Sequence, residues 1–266
     1  MRILDWKDFT APRTEKETPG LSVGIGVFDG VHRGHRELIR QLTESSFLPT
    51  LITFAQNPKK ILNPRLYSGD IMSLGQKLLA FEKLGINQAV LIDFSENFSK
   101  LTGREFIGLL KESCRLEYLA LGENFRCGCR LDTGAREIRD MTAAWGIKTE
   151  LLEPVMYGEL PVSSSRIREA VLGGNLELAA SLLGANPEID LSGIPFFDRA
   201  EGRVYDAAAA SRLAPGKGVY KARLYGADSA EGREADISVL NGKILIPETA
   251  GGGEKGFKPE RLEFLK

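Results

Sequence analysis

The sequence is poor in several features that mark large classes of protein. Its 266 residues include only three cysteines and two histidines, and 35 Lys and Arg residues face 36 Asp and Glu residues for a net charge of -1. Three cysteines in a chain of this length form no disulfide framework. Because the charges balance both before and after Gly184, electrostatics give no support for binding DNA or RNA.

Long apolar segments are also missing. No run reaches the ~18 apolar residues of a membrane span, and the stretch from Met1 to Asp8 lacks the apolar centre of a signal peptide. We therefore expect a cytoplasmic protein with no membrane, nucleic-acid or obligate protein partner. Cys127 and Cys129 have half of a zinc-site spacing. Because His32 and His35 are the only histidines, we favour incidental loop cysteines over a structural zinc site.

Short apolar segments alternate with helical patterns along the first two thirds of the chain. This alternation predicts an α/β fold with a parallel, five-stranded, Rossmann-like sheet covered by helices. Such a sheet binds ligands beyond the carboxyl ends of its strands. The predicted strands are 21–28, 50–54, 88–94, 117–121 and 147–152, and the predicted helices include 73–84, 102–114, 135–145, 164–172 and 176–183.

The pattern changes after Gly184. Residues 218–225 alternate like a strand, and Asn241-Gly242 is a strong two-residue hairpin signal. We therefore predict two domains, an α/β domain over 1–184 and a small, mostly antiparallel β domain over 185–266. The glycines at 251–253 predict a loop.

The strongest chemical signal is the stretch from Gly26 to His35, which holds both histidines of the chain. His32 and His35 are three residues apart at the start of a predicted helix, so both rings share one face. Free N–H groups and positive potential at a helix start suit a phosphate. Two imidazoles there can donate hydrogen bonds to a phosphate whose charge rises in a transition state.

A second anion site is predicted between Ser163 and Arg168. Ser164 and Ser165 offer hydroxyls at another helix start, and Arg168 follows one turn later. A guanidinium makes planar, two-pronged contacts to phosphate.

Four segments in order resemble one family. The stretch Gly26–His35 is similar to the HxGH signature of the nucleotidyltransferase superfamily. In the longer form GxFDGxHxGH it resembles the adenylyltransferase module of bacterial bifunctional riboflavin kinase/FAD synthetases. Residues 53–58, 122–128 and 163–168 are similar to three further motifs of that module. Departures are Ala55-Gln56 for an acidic-Pro pair, Cys127 for an aromatic residue and Ser165 for Thr.

The resemblance implies an FMN adenylyltransferase, which transfers AMP from ATP to FMN and yields FAD and pyrophosphate. It implies Mg²⁺ bound with ATP, held chiefly by phosphates and water rather than by protein ligands. The implied catalytic residues are His32, His35 and Arg168. The implied nucleotide-binding residues are Gly26, Phe28, Asp29, Gly30, Asn124, Ser164 and Ser165. The implied flavin-binding residues are Phe54, Asn57, Phe125 and Arg126.

The C-terminal part resembles the family's riboflavin kinase domain only weakly. Residues 215–220 are similar to its PxGVY strand, but its G-x-P-T-A-N segment has no match and Ala207–Ala210 stands there instead. We expect a truncated kinase-like barrel without kinase activity. Two alternatives remain open, a non-catalytic flavin- or nucleotide-binding relic and an HxGH nucleotidyltransferase with another acceptor.

Overall fold

A computed structural model describes residues 1–11, 19–94, 96–227, 231–251 and 257–265. The chain forms two compact units. The first unit comprises residues 1–28, 34–62 and 78–161, and the second comprises 29–33, 63–77 and 162–266. This division groups residues 162–184 with the C-terminal sheet, whereas the prediction assigned them to the first domain. The boundary between 184 and 185 stays a prediction.

The first unit contains a parallel sheet of six strands, so the predicted α/β class is confirmed. The strands are β1 (Arg2–Asp5), β2 (Leu21–Ile25), β3 (Leu48–Phe54), β4 (Gln88–Ile92), β5 (Leu116–Gly122) and β8 (Lys148–Leu152). Their order in the sheet is β1-β4-β3-β2-β5-β8. The five predicted strands are present, and the prediction missed one strand at the N-terminus.

The missed strand β1 has a weak local signal because two of its four residues are charged. It lies at the sheet edge and pairs in parallel with β4, with Ile3 opposite Ala89. Ile3 is half-exposed. An edge strand with one buried neighbour does not need the continuous apolar run that marks a central parallel strand.

The predicted strand 21–28 is too long. Strand β2 ends at Ile25. Phe28 has a φ of +52°, and Gly30 has a φ of +88°. These angles lie in the left-handed region and cannot continue a strand. The chain therefore leaves the sheet at Gly26, three residues earlier than apolarity alone predicted.

Seven α-helices lie among the described residues up to 143. Capping boxes begin two of the predicted helices, 73–84 and 102–114. Ser73 and Gln76 exchange side-chain-to-backbone hydrogen bonds of 2.9 and 3.1 Å, and Thr102 and Glu105 do the same. The helices are α1 (Trp6–Phe9), α2 (Arg33–Thr43), α3 (Pro58–Leu62), α4 (Leu74–Lys83), α5 (Glu96–Lys100), α6 (Gly103–Ser113) and α7 (Ala135–Ala143).

The described part of the second unit contains two further α-helices and a seven-stranded sheet. The helices α8 (Ser164–Leu172) and α9 (Leu176–Leu183) have the predicted bounds, and their N-caps are Ser163 and Asn175. The strands are β11 (Glu188–Asp190), β12 (Phe196–Arg199), β13 (Gly202–Asp206), β14 (Gly218–Tyr225), β15 (Arg233–Leu240), β16 (Lys243–Pro247) and β17 (Arg261–Phe264). Their order is β11-β17-β14-β15-β16-β13-β12, with antiparallel pairing throughout.

The predicted hairpin at Asn241-Gly242 is confirmed. These residues have φ angles of +52° and +73°, and they join β15 to β16. Two positive φ angles in a two-residue loop match the right-handed twist of the flanking strands. Of the predicted loop at 251–253, Gly252 and Gly253 lie outside the described residues, and Gly251 ends a short 3₁₀ turn.

Two short strand pairs complete the first unit. Strands β6 (Arg126–Cys127) and β7 (Thr133–Gly134) are antiparallel, as are β9 (Met156–Tyr157) and β10 (Leu160–Pro161). Across the part of the chain that the structure describes, no helix has the length and apolar character to span a membrane.

Candidate active site

The turn that follows β2 is strained. Phe28 and Val31 have φ angles of +52° and +39°, although neither is a glycine. Left-handed backbone is unfavourable for such residues, and for a β-branched residue it is a genuine outlier. Both side chains are fully buried. Strain of this kind persists only where the surroundings hold the chain, and it clusters at functional sites.

Asp29 organises the part of the turn that belongs to the second unit. Its Oδ1 accepts hydrogen bonds from the backbone N–H groups of Ile71 and Met72, at 3.0 and 3.2 Å. Its Oδ2 accepts a hydrogen bond from Arg168. Burial raises the pKa of Asp29 to about 6, and Arg168 opposes the rise. The carboxylate therefore holds protein groups and is not presented to solvent.

Arg168 is held in place through all three of its guanidinium nitrogens. Besides the bond to Asp29, Nε donates to the carbonyl of Gly69 at 3.2 Å and Nη1 donates to the carbonyl of Ser164 at 3.3 Å. The Arg168 side chain is 12% exposed. The sequence predicted a phosphate contact for this residue. Its observed bonds are to protein groups, and phosphate contact stays a prediction.

Ser164 and Ser165, both in the motif 163–168, have different surroundings. The Ser164 hydroxyl donates a hydrogen bond of 2.9 Å to the carbonyl of Asp29. Ser165 is exposed at the start of α8. The structure thus brings Asp29, Ser164 and Arg168 together, and it leaves the Ser165 side chain accessible.

His32 lies in the same unit and is 6% exposed. Burial lowers its pKa to about 4. At neutral pH the ring is therefore uncharged and carries one N–H donor and one acceptor nitrogen. The ring can offer a hydrogen bond to a phosphate oxygen without bringing a charge.

Lys77 belongs to this unit, and sequence reasoning missed it. The residue is 6% exposed. Burial lowers its pKa, and the carboxylates of Asp29 and Asp70 oppose that change. A lysine is seldom buried without charge partners. Its burial could have been predicted from its position in helix α4, one turn before the fully buried Phe81.

Gly30 is predicted to line the nucleotide pocket, and its backbone requires glycine. Its φ is +88°, and a Cβ atom there would lie 3.1 Å from the side chain of Ile71. The residue is buried. Gly26 begins the turn, and its N–H donates to the carbonyl of Ile52 at 3.1 Å.

His35 belongs to the first unit and lies in the first turn of α2. Its ring is half-buried and forms an edge-to-face contact with the Phe28 ring, at a centroid distance of 5.1 Å. Phe28 is 1% exposed and also contacts Phe81, at 5.6 Å. The structure therefore gives Phe28 a place against His35, and its predicted nucleotide contact stays a prediction.

The predicted flavin residues of the second motif lie in the first unit. Phe54 packs against Phe94 and Phe98, with ring centroids 5.8 and 6.2 Å apart. Asn57 is 6% exposed, and its Oδ1 accepts a hydrogen bond of 3.1 Å from the N–H of Lys59. Both side chains thus have packing or hydrogen-bonding partners within the protein.

The third motif follows strand β5. Asn124 is exposed, and Phe125 is partly buried against the core of the first unit. Arg126 is exposed and donates from Nε to the carbonyl of Leu131 at 2.8 Å. Among these three residues, Asn124 and Arg126 have the accessibility that a ligand contact needs.

A cavity of about 620 Å³ also lies in the first unit. It adjoins the carboxyl ends of β1 and β4, and none of the predicted site residues is among the described residues that line it. The lining residues are Asp5, Trp6, Lys7, Leu91, Asp93, Phe98 and Leu101.

The side chains that commonly bind metals are dispersed over the described residues. Within the described ranges, no group of three or more His, Cys, Asp or Glu side chains is arranged to hold a metal ion. Burial raises the pKa of the Cys127 thiol to about 12. Metal binding needs the thiolate, so burial disfavours Cys127 as a ligand.

Comparison with known proteins shows which family the chain belongs to. A family model described as FAD synthetase matches residues 14–166. The chain belongs to the FAD synthetase family. The resemblance drawn from the four sequence motifs is therefore confirmed for the adenylyltransferase part.

Two curated relatives of this chain have the same name. The bifunctional riboflavin kinase/FMN adenylyltransferase of Escherichia coli (strain K12) is 30% identical over 217 residues, which cover 78% of this chain and 69% of the relative. The protein of the same name from Buchnera aphidicola subsp. Schizaphis graminum is 28% identical over 169 residues, which cover 61% of this chain and 54% of the relative.

A solved structure is similar over nearly the whole chain. It is described as a macrolide-efflux protein from Streptococcus pneumoniae. It has a TM-score of 0.75 and 22% identity, and it covers 99% of this chain and 89% of its own. At this identity the likeness supports the fold of the family member and not a shared function.

Proposed function

We propose that this protein is an FMN adenylyltransferase, which forms FAD and pyrophosphate from ATP and FMN. The observation that carries the proposal is the buried His32, in one compact unit with Asp29, Ser164 and Arg168, within a chain of the FAD synthetase family. The relatives named for this activity support the choice of acceptor.

The reaction needs one displacement at phosphorus. An oxygen of the FMN phosphate forms a bond to the α-phosphorus of ATP, and the bond from that phosphorus to the bridging oxygen of the β-phosphate breaks. The nucleophile is already an anion, so no general base is required. Catalysis then rests on positioning and on stabilising charge in the transition state.

The second unit offers groups for the phosphates. His32 would donate a hydrogen bond to an oxygen whose negative charge grows as the bond to the leaving group breaks. Ser164, Ser165 and Arg168 would hold the β- and γ-phosphates and the departing pyrophosphate. Ser165 supports this role through its exposure at the start of α8, since a helix start offers free N–H groups to an anion.

The roles of residues in the first unit rest on their motifs. His35 would contact the triphosphate, and Phe28 would hold the imidazole edge-on. Asn57 and Asn124 would contact the substrates. Phe54, Phe125 and Arg126 would lie near the flavin, while Gly26 and Gly30 would admit the nucleotide close to the backbone.

Magnesium would enter with ATP rather than sit in a protein cage. The buried carboxylate nearest in sequence to His32 is that of Asp29, and it already accepts hydrogen bonds from two backbone N–H groups and from Arg168. When bound to ATP, Mg²⁺ neutralises phosphate charge.

A cytoplasmic location and the absence of nucleic-acid, membrane or protein partners stay predictions.

We further propose that the protein has no riboflavin kinase activity. The stretch that would supply the P-T-A-N segment reads Ala207–Ala210. Alanine methyl groups offer neither hydroxyl nor amide to ATP or to a metal ion.

The alternatives to an FMN adenylyltransferase are a flavin-binding protein without turnover and a transferase with another acceptor.

The test is chromatography of flavins after incubation with ATP and magnesium, with FMN in one sample and riboflavin in the other. We expect FAD from FMN and no product from riboflavin. FMN from riboflavin would overturn the loss of kinase activity. No product in either sample would favour a flavin-binding relic if FMN still binds, and another acceptor if it does not.

A matched pair of variants ties any activity to the proposed site. His35→Ala should lower turnover by roughly 100-fold. Arg40→Ala changes an exposed residue of the same helix, and turnover should remain that of the wild type. Equal activity of the two variants would exclude a catalytic role for His35.

A further inference from the structure

Residues 69–72, which bond to Asp29 and Arg168, are paired with the C-terminal domain. Both parts lie in the second unit. The N–H of Asp70 donates to the carbonyl of Ser211, and the N–H of Leu213 donates to the carbonyl of Asp70, each at 2.9 Å. Asp70 and Arg212 form an isolated parallel bridge. Residues 69–72 are therefore bound through their backbone to residues 211–213.

The approach of the two backbones is close enough to require glycine at position 69. Gly69 has a φ of +112°, which is a glycine conformation. A Cβ atom at this position would lie 2.8 Å from the carbonyl carbon of Arg212 and 2.8 Å from the nitrogen of Leu213. Any side chain would push the two segments apart.

Three residues of the same segment bond to Asp29 and Arg168. The carbonyl of Gly69 accepts from Nε of Arg168 at 3.2 Å. The N–H groups of Ile71 and Met72 both donate to the carboxylate of Asp29. Segment 69–72 thus joins residues 211–213 to the two charged partners that lie beside the His32 turn.

Residues 207–213 are anchored in the β domain. Ala207 is fully buried and Ala214 is 6% exposed, and both belong to the core of the seven-stranded sheet. The N–H of Arg212 donates to the carbonyl of Ala207 at 2.8 Å, and the N–H of Ala208 donates to the carbonyl of Gly242 at 3.2 Å. The turn is therefore fixed by the sheet at both of its ends.

We propose that residues 207–213 of the C-terminal domain are a positioning element of the adenylyltransferase site. Through residues 69–72 they set the places of Asp29 and Arg168, and thereby that of the His32 turn. This inference rests on the proposed function. It gives the β domain a task in FAD formation that is separate from riboflavin phosphorylation.

The main test is the variant Gly69→Ala, with Gly193→Ala as its control. Gly193 also has a positive φ, +70°, but a Cβ atom added there would meet no described residue beyond its chain neighbours within 4 Å. Both variants place alanine at a positive φ, which costs about 1–2 kcal/mol at Gly193 and more at the wider angle of Gly69, but only Gly69→Ala also forces residues 69 and 212 apart. Leu213→Pro, which removes the N–H that bonds to Asp70, replaces Gly69→Ala if that protein does not fold.

The readout separates positioning from general stability. In Gly69→Ala we expect kcat for FAD formation to fall by about tenfold or more, with the KM for FMN within roughly twofold of the wild type. Gly193→Ala should retain the wild-type kcat. A wild-type kcat in Gly69→Ala, or equal losses in both variants, would overturn the proposal.

Amide hydrogen exchange provides a second readout that does not depend on activity. If 211–213 hold 69–72, the amides of Ile71 and Met72 should exchange about tenfold faster in Gly69→Ala than in Gly193→Ala. Unchanged protection would overturn the coupling. If the wild type forms no FAD, it is the proposed function that has failed, and the exchange rates still decide whether the β domain holds the segment.

Discussion

The buried ion pair of Asp29 and Arg168 allows a quantitative prediction of how much stability each partner contributes. Their side chains are 4% and 12% exposed. Arg168→Met would leave the Asp29 carboxylate with only two backbone N–H partners. Removing one member of a buried pair costs about 3–5 kcal/mol, because the other charge stays buried without compensation. Since the Ile71 and Met72 amides remain, we expect the lower end, about 3 kcal/mol.

The double variant Asp29→Asn/Arg168→Met measures the coupling energy between the two side chains. Asp29→Asn should cost about 2 kcal/mol, because Arg168 keeps its bonds to two backbone carbonyls. In Asp29→Asn/Arg168→Met neither member of the pair leaves its partner's charge buried and unpaired, so the loss should be well below the sum of the single losses. We expect a coupling energy of about 2 kcal/mol. Arg223→Met breaks an exposed pair in the same unit, that of Arg223 and Glu234, and its urea midpoint should stay close to that of the wild type.

Urea unfolding at pH 7 and pH 5 measures the unfolding free energies of the wild type and these variants. Arg168 lowers the pKa of Asp29, so its removal raises that pKa above about 6, while the unfolded value stays near 3.8. The folded state then binds more protons than the unfolded state over this window, so the variant gains stability relative to wild type as pH falls. Additive losses in the double variant, or no relative gain at pH 5, would refute the reasoning.

Three further predictions concern the histidines and their support. His32 is buried with its pKa near 4, so the unfolded state binds the extra proton between about 6.5 and 4, and stability falls as pH falls through that window. In urea titrations, His32→Gln should remove this loss, roughly 3 kcal/mol between pH 7 and 4; an unchanged pH dependence would contradict the assignment. His35→Ala should leave the urea midpoint near that of wild type although its turnover falls, and a collapse of the midpoint would indicate a structural role. Phe28→Leu should cost about 1 kcal/mol in unfolding free energy and should lower kcat more than it changes the KM for FMN, since the ring that meets His35 is lost; an unchanged kcat would argue against positioning by Phe28.

Local signals were sufficient for most of the elements. Helices α8 and α9 begin and end at the predicted residues because a capping side chain acts on N–H groups two or three residues away. The Asn241-Gly242 turn was predictable for the same reason, since its φ angles are a property of those two residues. Strand β1 was missed because an edge strand is stabilised by its neighbour more than by its own residues.

The candidate site was predictable only in part. The spacing of His32 and His35, the Ser163–Arg168 motif and the family were accessible from residue order. The surroundings of Arg168 were not, because a phosphate and a carboxylate attract a guanidinium alike. Lys77 was missed because its burial depends on carboxylates supplied by distant parts of the chain.

The sequence by itself determined the alternation of five strands with helices before Gly184, the two histidines at a helix start, and membership in the FAD synthetase family. These features depend on interactions that extend over a few residues. Only the tertiary structure decided that Asp29 receives the N–H of Ile71, 42 residues away, and the guanidinium of Arg168, 139 residues away. It also decided that Gly69 meets Arg212. Such contacts depend on which buried groups need a partner once the chain is folded, and residue order does not specify that pairing.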